Sequence, residues 1–100
     1  MITIPIDQGV MDEAVATWGA DAQTFVAVEE CAEFIQAAMK FTNRGGDIIS
    51  LIEETAHALF LLMQIRSVLG ESEVDAELVD VQARLRVKLE EHGNVHTART

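Results

Sequence analysis

The chain is 100 residues long, 49% hydrophobic, and carries a formal net charge of −10, with 7 Lys and Arg against 17 Asp and Glu. That length fits one small domain with a thin core, so association is expected, and that charge excludes a general nucleic-acid binder, which needs a basic face. Cys31 stands alone, which excludes an internal disulfide, and Met1-Ile2-Thr3-Ile4-Pro5-Ile6 lacks the basic and long apolar segments of a signal peptide, so a cytoplasmic protein is expected.

An extended arm over residues 1–7 opens the chain and ends at Asp7, a residue type that caps helices. A short helix follows, with Met11, Ala14, Val15 and Trp18 at helical spacing and Gly19 as its stop; Trp18 is expected to anchor packing between helices. Asp21 can cap a second helix running to about Thr42, whose core stripe is read as Phe25, Val28, Ala32, Ile35 and Met39. Asn43-Arg44-Gly45-Gly46 breaks the pattern and marks a tight connection, so the second and third helices are expected to be antiparallel neighbours. Asp47 caps the third helix, which runs to about Leu69 with Ile48, Leu51, Ile52, Leu59 and Leu62 read as its core face. Gly70 ends it. Ser72 with Asp75 resembles a capping pair for a fourth, amphipathic helix with the stripe Val74, Leu78, Val81, Leu85 and Leu89. Gly93 is its expected stop, leaving residues 94–100 as a frayed tail. The expected fold is therefore all-α: a four-helix bundle-like protomer in a single domain over residues 1–100, with a central antiparallel helix pair, assembled into an oligomer. The third helix is apolar, but Glu53, Glu54, His57 and Gln64 make it too polar for a plain membrane span.

The chemistry lies on the central pair. Residues three apart on a helix lie side by side, so Glu30 with Glu33, and Glu54 with His57, each place two metal-ligand side chains on one face. Both helices are otherwise apolar nearly all round, and carboxylates taken from water need a cation or a hydrogen-bonding partner. A metal site is the economical reading. Further along the acidic face of the second helix come Lys40 and Arg44, and two acids followed by two bases suit a metal-bound phosphate chain. Ordinary compensation of the helix dipole is the alternative reading of those two bases.

Trp18-Gly19, then Val28-Glu29-Glu30-Cys31-Ala32-Glu33, Lys40, Arg44-Gly45 and Leu51-Ile52-Glu53-Glu54-Thr55-Ala56-His57 together resemble the MazG-like all-alpha nucleoside triphosphate pyrophosphohydrolases in their short single-domain form. Their pattern is EExxE followed by ExxD, and the resemblance covers roughly residues 10 to 90. It implies a homodimer or homotetramer that hydrolyses a nucleoside triphosphate to the monophosphate and pyrophosphate; from charge and helix polarity, no nucleic acid polymer and no membrane is expected as partner. It also implies that Glu30, Glu33, Glu54 and His57 hold Mg²⁺ or Mn²⁺, that Glu29 and Glu30 serve catalysis, with Glu29 as outer-shell partner or base, and that Lys40 and Arg44 hold the phosphates. The base is expected in an apolar pocket against Phe34, Phe41 or Trp18.

His57 departs from the family's Asp. Imidazole is a poor ligand for Mg²⁺ and a good one for Mn²⁺ and the later transition metals, so an altered metal preference or a reduced activity is expected. The same residue supports a rival class. Glu54-x-x-His57 with Glu30 or Glu33 is the ligand pattern of ferritin-like di-iron proteins, which would make iron the cofactor. A metal-free helical interaction module ranks third, because it leaves the buried acids without a cation.

Overall fold

The computed structural model describes residues 2–99, and side-chain burial for residues 2–94. It is all-helical: α1 (Gln8–Trp18), α2 (Ala20–Arg44), α3 (Ile48–Leu69) and α4 (Glu71–Arg99). Two units divide the chain, one up to Val68 and one from Leu69 onward, and each is described by itself.

Local chemistry explains most of the boundaries. The Asp7 carboxylate accepts from the backbone N–H groups of Gly9 at 2.9 Å and Val10 at 3.3 Å, satisfying donors that the first turn of α1 leaves open. Asp47 does the same for α3, accepting from the Ile49 N–H at 3.0 Å. Asp47→Ala is expected to cost about 1 kcal/mol of stability in urea unfolding. Gly45, at φ 66°, ends α2 in the left-handed region, where a side chain is strained.

Three helix ends differ from the sequence reading. Gly19, not Asp21, caps α2, and it does so without a side-chain hydrogen bond; Asp21 lies in the first turn, where its charge complements the helix dipole. Helix α4 begins at Glu71, so Ser72 lies inside it and donates to the Glu73 carboxylate at 3.5 Å. It also continues through Gly93 to Arg99. Gly93 is not among the glycines at positive φ, so it sits within the helix at a propensity cost of about 1 kcal/mol and does not stop it.

Within the first unit, α2 and α3 run antiparallel. Glu30 meets His57 and Glu33 meets Glu54, so a step forward on one helix is matched by a step back on the other. The buried core gathers Met11 of α1, Ala27 of α2, and Ala58 and Leu61 of α3, together with Gln23 and Gln64. Gln64 is 1% exposed, and its amide nitrogen donates to the Met11 carbonyl at 3.2 Å, tying α3 to α1. The Gln8 amide adds a second tie, to the Ser67 hydroxyl at 3.3 Å.

The stripes read as core face the other way. Phe25 is 71% exposed and Ile35 60%, and Val28 and Met39 beside them are also exposed. On α3, Ile48, Ile52, Leu59 and Leu62 are exposed, while the stripe carrying Glu54, Leu61 and Gln64 turns inward. Trp18 is 66% exposed, so it is no packing anchor within this unit. On α4, Leu78, Val81, Leu85 and Leu89 are exposed as well. Among the described residues, α3 is the helix whose length and composition suffice to cross a membrane.

Candidate metal centre

The pairing of α2 with α3 brings Glu30, Glu54 and His57 together, with one ligand atom from each lying within 4.8 Å of the others. His57 Nδ1 is 3.3 Å from Glu30 Oε2 and 3.9 Å from Glu54 Oε2. The imidazole is 57% exposed, whereas both carboxylate side chains are only 23% exposed. The oxygens that face the ring, Glu30 Oε2 and Glu54 Oε2, are shut off from solvent and have no hydrogen-bond partner.

That is an unbalanced arrangement. A protonated imidazole would answer one carboxylate, but Glu30 and Glu54 both face this single ring, and Glu33 adds its charge to that of Glu54. The strain registers on Glu54, whose carboxyl is held above its ordinary value of 4.5. Loss of surrounding water is the main cause. The charges of Glu33 and Glu30 and a hydrogen bond with Glu33 add to it, and His57 acts in the opposite direction. Buried carboxylate oxygens without donors, beside an imidazole, form the donor set a divalent ion takes, so these residues fit a metal.

The raised pKa has a consequence for the metal-free protein. Between 4.5 and the higher folded value, the folded chain holds the Glu54 proton that the unfolded chain has lost, so stability falls as pH rises through that window. Above the folded value the penalty is constant. Glu54→Gln is therefore expected to melt above wild type near neutral pH in the presence of a chelator, with the difference closing as pH falls to 4.5. Parallel melting curves across that range would contradict the placement of Glu54.

Glu33 belongs beside the trio and not in it. Its carboxylate is close enough to push the Glu54 carboxyl upward, and it lines an open cavity of about 380 Å³ with Gln36, Lys40, Gly46, Ser50 and Glu54. Lys40 thus lines the same space as two of the acids and makes no ion pair among the described residues. Arg44 is placed elsewhere: it lines a separate groove with Ile35, Met39, Lys40 and Asn43. Glu29 is exposed and outside the cluster. Phe34, Phe41 and Trp18 do not line the cavity.

Gln36 and Gly46 are cavity residues that sequence reasoning did not single out. Their signal was available in part, since Gln36 continues the row Glu33, Gln36, Lys40 along α2, and Ser50 lies one turn before Glu54 on α3.

Fold and site together define an all-α protein with a carboxylate–imidazole cluster between two antiparallel helices. No protein-family model, curated protein or solved structure matches the chain.

Proposed function

We propose that the chain is a divalent-metal-dependent hydrolase that cleaves a nucleoside triphosphate to the monophosphate and pyrophosphate, acting as a homo-oligomer. The observation that carries this reading is the pair of buried oxygens on Glu30 and Glu54 that accept no hydrogen bond and face only His57, next to a cavity that Lys40 also lines. Glu30, Glu54 and His57 would hold the ion. When bound, it supplies neutralising charge for phosphate oxygens and a more acidic water.

The chain's own residues do the rest. Lys40 is a compact cation on a flexible stem, suited to a phosphate oxygen as a point charge. Glu33 lines the cavity beside Glu54 and Glu29 does not, so Glu33 is the better placed of the two to accept a proton from attacking water. Water adds to the α-phosphorus, the bond from that phosphorus to the α,β-bridging oxygen breaks, and pyrophosphate departs.

A second reading has its own observation. The trio is one carboxylate from α2 plus Glu54-x-x-His57 from α3, which is half of a ferritin-like di-iron set. The cavity lined by Lys40 favours the phosphate reading, because a di-iron oxidase has no use for a cation there. Purified protein carrying iron with a carboxylate-bridged optical band would favour the second reading.

Product analysis tests the proposal. Phosphorus NMR of nucleoside triphosphates incubated with the protein and Mg²⁺ or Mn²⁺ is expected to show a monophosphate and pyrophosphate growing together. Diphosphate with orthophosphate, or intact substrate with both ions and every base, would overturn it.

A further inference from the structure

We infer that Gly46 positions Lys40 as the anion-holding wall of the cavity, an inference that rests on the reading of the cavity as a site for a metal-bound polyphosphate. The Gly46 N–H donates to the Lys40 carbonyl at 2.8 Å across the α2–α3 connection. A Cβ added to Gly46 would lie 2.8 Å from the Lys40 carbonyl carbon, 2.9 Å from the Lys40 Cβ and 2.9 Å from the Phe41 nitrogen. None of these is the far end of a flexible side chain. Any larger residue must therefore push the connection away from the root of Lys40, and Gly46 and Lys40 line the same cavity with Glu33 and Glu54.

The neighbouring Gly45 also gives its N–H to the Lys40 carbonyl, but an added side chain there would not press on Lys40. Gly45 needs its left-handed backbone, at φ 66°, but a Cβ there would meet nothing within 4 Å. The two positions separate strain from contact: Gly45→Ala costs backbone strain alone, whereas Gly46→Ala displaces Lys40. This makes Gly46 a positioning residue that acts through Lys40.

Binding of inorganic triphosphate in the presence of Mn²⁺, measured by calorimetry on the full chain, tests the inference. Lys40→Ala is expected to weaken binding by about tenfold or more, the loss of a charge-assisted contact. Gly46→Ala should lose a similar factor, and the double variant should lose little beyond either one, because both changes remove one interaction. Mn²⁺ binding alone should be unchanged in Gly46→Ala, and Gly45→Ala should keep wild-type triphosphate affinity despite reduced stability. If Lys40→Ala weakens binding but Gly46→Ala does not, or if Gly45→Ala weakens it equally, the positioning role is overturned while the proposed function stands. If wild-type protein binds Mn²⁺ but no triphosphate, both are overturned. Should Gly46→Ala fail to fold, the Gly46 amide resonance of the intact protein decides: it must shift on addition of triphosphate and stay put in Lys40→Ala, and a resonance unmoved in wild type overturns the inference.

Discussion

In a titration with Mn²⁺, Glu30→Gln and Glu54→Gln are each expected to bind at least about a hundredfold more weakly than wild type, with helix content unchanged in circular dichroism. The size of the effect follows from the site itself: each substitution removes a ligand charge whose buried oxygen accepts no hydrogen bond and faces only His57. Glu33→Gln should lose less, because Glu33 lies beside the trio and reaches it through Glu54. His57 gives the most discriminating variants. His57→Asp replaces a neutral donor with a hard, charged one, so affinity should move towards Mg²⁺ relative to Mn²⁺ by about tenfold or more, while His57→Ala should lose Mn²⁺ without gaining Mg²⁺. If both variants titrate alike, His57 is simply a partner of Glu30.

Sedimentation of the wild-type chain at micromolar concentration is expected to show a homodimer or homotetramer, and Ile35→Glu or Phe25→Glu to shift it towards a less stable monomer. The row Phe25, Val28, Ile35 and Met39 on α2 and the row Ile48, Ile52, Leu59 and Leu62 on α3 are exposed, and among the described residues the buried apolar core is four side chains. Covering a large apolar side chain contributes about 1.5–3 kcal/mol, and a two-fold interface counts each substitution twice. A single charge in that row therefore acts with several-fold leverage. A monodisperse, fully helical wild-type monomer would contradict this, and extraction of the chain only with detergent would point to a bilayer covering α3.

Much of this arrangement is legible in the sequence. Asp7, Asp47, Gly45 and Gly70 punctuate the helices as their chemistry requires, and the Glu30/Glu33 and Glu54/His57 spacings put those groups on faces that meet. What periodicity cannot supply is the direction in which a face points. Helices α2 and α3 are apolar nearly all round, so the bulkiest stripe looks like the core, whereas it is small residues, Ala27 and Ala58, that are buried, and Phe25 and Ile35 stay outside. The exclusion of Glu33 from the trio has the same origin. Spacing places Glu30 and Glu33 on one face, but only the register between helices decides that Glu30 meets His57 and Glu33 meets Glu54. Arg44 shows the limit at a helix end: it shares a stripe and a groove with Lys40, yet the left-handed turn at Gly45 follows it directly and it does not line the cavity that holds Glu33 and Glu54.

The most direct measurement is electron spin echo envelope modulation of Mn²⁺ bound to the wild-type chain. An ion held by Glu30, Glu54 and His57 is expected to show modulation from one directly coordinated imidazole nitrogen, which disappears in His57→Gln while weaker Mn²⁺ binding persists. Tight Mn²⁺ binding without nitrogen modulation, or modulation that survives His57→Gln, would contradict a metal centre built on this trio.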